Sequence, residues 1–275
     1  MAMYATSRDA LAAMRDTLAG VLSDAANRAD AAASIGADLF AVVDLLDTQR
    51  SLRTSLGDPS APAEARRDLA QRLFGERIGS DAVALVTEAA SRTWSRSSDL
   101  LGSLELLGRE AYLKSAAERG DLDTVEDELF MVGRSIAATP ELEMVLGDRA
   151  KPARAKQELL GSLIAGKVNA VTEALSQQAI GRLGDTKAAD SMDALSDLAA
   201  GQRDRVVAKV RAAVELSPQQ LDKLNQILAR IYDREVVVHS EVDMDLLSGL
   251  VIQVGDEVID GSGAGRLATI RSSLS

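Results

Sequence analysis

The sequence predicts a mainly α fold: two tandem six-helix-type bundles followed by a small α+β C-terminal module with a β-hairpin. Three observations lead there. Of 275 residues, 46% are hydrophobic but only 3% aromatic, so the core is built from Ala, Leu and Val, which suits closely packed helices. A pattern of apolar, Gly, Asp and Pro positions recurs along the chain, Leu56 falling on Leu146. Only from Val206 onward does the apolar period shorten from helical spacing to alternation.

Ser7 is placed to cap a first helix, with Leu11, Met14, Leu18, Leu22 and Ala25 along one face. A second helix carries Ile35, Leu39, Val42, Val43 and Leu46. A short helix bearing Leu52 and Leu56 stops at Gly57-Asp58-Pro59, and Pro62 opens the next, with Leu69, Leu73 and Phe74 ahead of the breaker Gly75. Asp81–Ala90 and Ser97–Ala117 complete about six helices.

The pattern then restarts. A displacement of 90 residues carries Leu52, Leu56, Gly57, Asp58 and Pro62 onto Leu142, Leu146, Gly147, Asp148 and Pro152. Leu69 and Leu73 meet Leu159 and Leu163, and Leu39-Phe40 and Val42 meet Leu129-Phe130 and Val132. Shared Leu and Ala alone mean little; Leu-Gly-Asp with a proline four residues on, in register with flanking apolar positions, indicates duplication. The expected domains are therefore 1–118, 119–205 and 206–275, with helix 97–117 able to end the first bundle and begin the second. Residues 1 to about 118 read as containing the extra copy, insertion of the second copy being the alternative.

The last domain opens with a strand that places Val206, Ala208, Val210, Ala212 and Val214 on one face and Lys209 and Arg211 on the other. Ser217-Pro218-Gln219-Gln220 has the chemistry of a helix start: a hydroxyl cap, proline at the first helical position and a glutamine to complete a capping box. Leu221, Leu224, Leu228 and Ile231 follow at helical spacing. Val236–Val242 reads as a strand, and Leu250–Val254 and Val258–Ile259 as a hairpin about Gly255-Asp256. Asp260-Gly261-Ser262 closes it and can cap a short helix through Arg266, Leu267 and Ile270.

Composition excludes several functions. With no cysteine there is no disulfide or thiolate metal site, and His239 is the only histidine, which leaves neither a zinc cluster nor a histidine triad. A net charge of −11 opposes nucleic acid and anionic lipid. No apolar run reaches the roughly 20 residues of a membrane span, and no signal peptide is visible. Gly161–Lys167 matches a phosphate loop as far as its lysine, but Val168 replaces the metal-binding hydroxyl and a helix end accounts for it. Gly261, Gly263 and Gly265 read as loop geometry, Glu126-Asp127-Glu128 as a solvated helix face, and Arg66-Arg67 with Arg72 as a surface ion-pair lattice. His239 reads as a packed or edge residue, and Trp94 as a packing anchor. Nothing gathers a nucleophile, a base and an oxyanion donor; the chain reads as a binding module.

Ser248 to Ser262, with Gly265-Arg266-Leu267 behind it, resembles the C-terminal signature of the delta subunit of F-type ATP synthase, the oligomycin-sensitivity-conferring protein family. Gly249, Gly255, Asp256, Asp260, Gly261, Ser262, Arg266 and Leu267 carry that likeness, helped upstream by Val210–Gln220. Ser248-Gly249 stands where the family often has a glycine pair, and Gly263-Ala264 where it has a Val-Arg-like pair. The resemblance takes in one bundle and the α+β module, so it implies an enlarged delta-type subunit. It further implies a peripheral-stalk (stator) role at the cytoplasmic face of a bacterial cell membrane. The partners it implies are the N-terminal helices of α subunits and the C-terminal region of a b subunit, with no cofactor, metal or small-molecule substrate. The corresponding α-docking groove would run between the first helix and the helix after Gly75, through Leu11, Met14, Leu18, Val83 and Val86. Two readings of other classes compete: a free-standing helical-repeat scaffold, which the C-terminal hairpin opposes, and a nucleotide-using enzyme built on the Gly-rich runs.

Overall fold

The computed structural model describes residues 4–202, 206–214, 216–232, 236–243, 246, 248–254 and 257–260. The chain divides into two compact units, Met1–Gln202 and Arg203–Ser275. The helices of the first are α1 (Ala5–Asp24), α2 (Arg28–Thr48), α3 (Arg50–Leu56), α4 (Ala63–Phe74), α5 (Ser80–Ser91), α6 (Ser97–Arg119), α7 (Leu122–Ala137), α8 (Pro140–Gly147), α9 (Ala153–Ile164), α10 (Ala170–Gly181) and α11 (Ala188–Gly201).

Local chemistry sets many of their ends. The Asn27 side chain accepts the Asp30 N–H at 3.2 Å and starts α2, while Asn169 accepts the Val171 N–H at 2.9 Å and starts α10. Pro140 occupies the first turn of α8, and Gly120, at φ 77°, supplies the left-handed residue that ends α6. Ser7 does not cap α1, which begins two residues earlier; its hydroxyl instead donates to Asp99 at 2.9 Å and accepts the Ser95 N–H at 3.0 Å. A buried tertiary partner outcompetes the local backbone there. Ala25 has left the helix.

Helices α4 and α9, and likewise α5 and α10, begin and end at positions displaced by 90 residues. Loop hydrogen bonds follow the same displacement. The Asp58 carboxylate accepts the Ser60 N–H, and Asp148 accepts that of Ala150, both at 2.9 Å. The Gly79 N–H reaches Asp38 at 2.9 Å and the Asn169 N–H reaches Glu128 at 2.8 Å. Helix α2 lies along α6 and α7 along α11, while α4 pairs with α5 and α9 with α10.

Two buried apolar clusters result. Met14, Leu18, Leu39, Leu85 and Leu104 belong to the first, and Leu129, Leu146, Leu175, Met192 and Leu195 to the second. Helix α6 feeds both, giving Leu100, Leu104, Leu107 and Ala111 to the first and Leu113 and Ala116 to the second. On α4 the apolar face is offset from expectation: Leu69 and Leu73 are half-buried, whereas Arg66, Ala70 and Phe74 point inward. Arg66 therefore belongs to no surface lattice. Its guanidinium donates to the Arg92 carbonyl at 2.6 Å and the Ser91 carbonyl at 3.4 Å, closing the end of α5 from inside.

The second unit is a mixed sheet with one helix. Its elements are β1 (Val206–Ala212), α12 (Pro218–Tyr232), β2 (Val236–Val242), β3 (Leu250–Val254) and β4 (Glu257–Asp260), in the order β2-β1-β3-β4. Strands β1 and β2 run parallel, with Val206 opposite Val236, as a helical crossover requires. β1 and β3 are antiparallel, as are β3 and β4, where Val254 faces Glu257 across the expected two-residue hairpin. The capping box forms reciprocally: the Gln220 N–H donates to Ser217 Oγ at 3.3 Å and the Ser217 N–H to Gln220 Oε1 at 2.8 Å. Val210, Leu228 and Ile252 make the core. Val214 lies past the end of β1 and is exposed, not on the buried face, and Ile231 is exposed as well.

The α2–α6 crossing depends on two glycines. A Cβ on Gly36 would lie 2.5 Å from the Tyr112 ring, and one on Gly108 2.8 Å from the Phe40 ring; these rings sit 5.3 Å apart. Gly108→Ala is expected to lose about 1–3 kcal/mol through overpacking, read as a lower urea midpoint. A second substitution, Phe40→Leu, should return part of the loss by making room.

Candidate functional site

The five side chains expected to line a docking groove sit inside the helical unit. Leu11, Met14, Leu18, Val83 and Val86 are all buried, and Met14, Leu18 and Val86 belong to the first cluster. What the α1–α5 seam offers outward is the half-buried fringe beside them, Ala13, Thr17, Val21 and Thr87.

An open apolar groove lies elsewhere, between α7, α8 and α9. It encloses about 480 Å³ and is lined by Met131, Val132, Ser135 and Ile136 of α7, Leu142 of α8, and Leu160, Leu163 and Ile164 of α9. Asp127, Glu128, Lys167 and Val168 border it as well. Met131 is 60% exposed and Leu163 42%, and Phe130 and Met144 on the same helices are also exposed. Among the described residues of the helical unit, Tyr4 is the one other exposed large apolar side chain. Isolated exposed apolar residues are ordinary; a group around a concavity marks an interaction surface.

The first half of the unit places a larger side chain at the corresponding position. At the 90-residue displacement Leu45 stands for Ser135 and Ala41 for Met131. Leu45 packs against the first cluster, whereas the Ser135 hydroxyl turns back to the Met131 carbonyl at 2.8 Å and leaves the groove empty. Ser135 in place of Leu45 at the 90-residue displacement is the sequence signal for this groove.

A charged joint ties the two clusters together. Arg182, at the end of α10, meets Asp47 of α2 at 3.0 Å and Glu105 of α6 at 3.2 Å. Arg109 of α6 donates to Glu105 at 2.6 Å and to Gln178 of α10 at 3.0 Å, and the Gln178 amide also reaches Glu105. Burial pulls the Arg109 guanidinium below its ordinary pKa; Glu105 opposes that pull and Arg182 adds to it. Desolvation also raises the Asp44 carboxyl, Arg182 counteracts the rise, and Asp47 and Glu105 reinforce it. Across α1 and α6, Arg15 grips the buried Glu110 with Nε at 3.0 and 3.1 Å and with a second guanidinium nitrogen.

Other sequence expectations fall into place individually. Gly161–Lys167 is the end of α9, where the Lys167 ammonium donates to the Leu163 carbonyl at 2.9 Å. Trp94 is buried, its indole N–H donating to the Ala89 carbonyl at 2.8 Å. In the acidic run Glu128 is not simply solvated; it accepts the Thr172 hydroxyl at 2.6 Å. His239 lies on β2, an edge of the described sheet. Gly249 takes φ 84° at the approach to β3, whereas Gly255, Asp256, Gly261, Ser262, Arg266 and Leu267, with the expected last helix, lie outside the described residues. The described residues hold no cluster of His, Cys, Asp and Glu fit for a metal, and no described helix is long and apolar enough to cross a membrane.

A helical unit with an apolar groove, followed by a small mixed sheet, is a form suited to docking other chains. The family model for the ATP synthase delta (OSCP) subunit matches residues 110–274. ATP synthase subunit delta of Rhodococcus opacus is 54% identical over 99% of both chains. That of Nocardia farcinica is 50% identical over 99% of this chain and all of its own. The chain belongs to the ATP synthase delta (OSCP) family. A chain in the mitochondrial ATP synthase hexamer of Toxoplasma gondii also matches, at 16% identity over 60% of this chain and 96% of its own, with a TM-score of 0.25; at that score it carries no structural argument.

Because the folded chain holds the Asp44 proton more tightly than the unfolded one, ionised Asp44 costs stability at neutral pH. That cost fades as pH falls through its raised pKa. Asp44→Asn is expected to raise the urea midpoint at about pH 7 and to lose the advantage below about pH 4; equal gains at both would contradict the shift.

Proposed function

We propose that this chain is the peripheral-stalk (stator) subunit of an F-type ATP synthase, linking the α/β catalytic head to a b-subunit stalk. It resists rotor torque during proton-driven ATP synthesis, at the cytoplasmic face of a bacterial cell membrane, and contributes no catalytic group of its own. Family membership over 99% of the length of a 54% identical relative supports the role and disfavours a free-standing scaffold. The observation that carries the mechanism is the exposed apolar group around the α7–α9 groove.

In this reading the helical unit is a duplication, residues 1–118 and 119–205 with α6 common to both, and residues 206–275 hold the end of the b subunit. The paired helix limits and repeated loop hydrogen bonds support the duplication. Amphipathic helices from α-subunit N-termini lay apolar residues into the α7–α9 groove, where Met131 and Leu163 leave water and Asp127 faces basic side chains. The α1–α5 seam takes a second such helix along Ala13, Thr17 and Val21, over the buried Leu11, Met14, Leu18, Val83 and Val86. A stator needs both: two attachments resist twisting better than one.

The full-length chain titrated with a fluorescent synthetic α N-terminal peptide tests this. Met131→Asp with Leu163→Asp is expected to weaken binding at least tenfold, about 1.4 kcal/mol. Ser135→Leu, which rebuilds the filled first-half arrangement, should weaken it similarly with the fold intact by circular dichroism. Unchanged affinity in both variants removes the groove from the interface, and absence of the chain from the purified synthase removes the role.

A further inference from the structure

The two halves of the helical unit diverge sharply around one buried cation. In the first half that cation is Arg66, spent on the Ser91 and Arg92 carbonyls. The loop beyond is closed by the Trp94 indole, 3% exposed, and the preceding loop is uncharged at Pro59 and Ala61. Ninety residues on, Lys156 takes the place of Arg66, Arg149 that of Pro59 and Lys151 that of Ala61.

The lysine is 8% exposed, yet its ammonium has no hydrogen bond or ion pair among the described residues. Nor does the ammonium of Lys151. The loop after α10 buries only Leu183 and then turns at Gly184, φ 58°, with no indole to fill the space. An open cavity of about 390 Å³ results, lined by Arg149, Lys151, Lys156, Gly147, Gly181 and Gly184. Ala153, the first residue of α9, also borders it, so the positive end of that helix dipole adds to the three cations. The one carboxylate there, Asp185, pairs with Arg149 at a largely solvated position, where an ion pair is easily exchanged.

The stem of Lys156 is buried while its ammonium opens onto the cavity without a protein acceptor, which leaves its charge available to an anion. Two lysines, an arginine and a helix N-terminus around glycine backbone suit an oxyanion with several acceptor oxygens. We propose that this cavity binds a phosphate group, free or as part of a nucleotide, at a site separate from the α7–α9 groove. In a chain of net charge −11 such a concentration of cations is not a general property of the surface. The proposal goes beyond the stator role and does not depend on it.

The test is isothermal titration of the full chain with inorganic phosphate and, separately, with ADP, at fixed ionic strength. Saturable one-to-one binding of phosphate is expected if the free ion is the ligand, and of ADP alone if the group comes on a nucleotide. Lys151→Glu, a change in a surface loop, should weaken binding at least tenfold, as should Lys156→Met. Arg154→Gln removes a neighbouring charge paired with Glu158 outside the cavity and should leave binding unchanged. Absence of saturable binding by either ligand overturns the proposal. So does equal loss in Lys151→Glu and Arg154→Gln, which would mark a diffuse charge effect, or full binding by Lys151→Glu.

Discussion

Helix α6 is the constraint from which the helical unit follows. A helix serving one core needs a single apolar stripe. This one turns Leu100, Leu104, Leu107 and Ala111 toward one cluster and Leu113 and Ala116 toward the other. Its charged residues at the two faces find partners inside: Glu110 takes Arg15, and Glu105 and Arg109 enter the joint with Arg182 and Gln178. Glycine at position 108 lets α2 approach near the point where the apolar contribution changes sides.

The charged joint suits the proposed stator role, in which the subunit transmits force. Apolar contacts are non-directional and permit sliding, whereas forked guanidinium–carboxylate bonds fix relative position. Arg182, Glu105 and Asp47 bring α10, α6 and α2 together at one point. The small side chains of the helices keep the layers close, so there is little loose packing to absorb torque. The α7–α9 groove stands out by its exposed apolar lining, Met131 and Leu163 among it.

Much of this was legible from residue order. The strands at Val236–Val242 and Leu250–Val254, the Ser217–Gln220 cap and the limits of α4, α5 and the start of α6 follow from local periodicity and capping chemistry. The 90-residue displacement that Leu-Gly-Asp and its proline suggest is also the one that separates the limits of α4 from α9 and of α5 from α10. What the chain order could not reveal was direction. Arg66 looked like part of a surface lattice because sequence spacing does not say which face of α4 turns inward, and Ser7 looked like a cap because its distant partner Asp99 was out of view. The α1–α5 residues read as a docking groove, but an apolar face that fully buries itself leaves only its fringe to offer a partner. The groove depended on Ser135 being smaller than Leu45, a difference that has meaning only once the two repeats are superposed.

One helix serving two cores also has a consequence for the length of such a chain. Deleting everything ahead of α6 would strip the cover from Leu100, Leu104 and Leu107, and ending the chain after it would bare Leu113 and Ala116. Neither half can be shed without leaving a sticky remnant. An interlock of this kind works as a ratchet: truncation from either side uncovers apolar surface, so the helical unit holds together only at its full length.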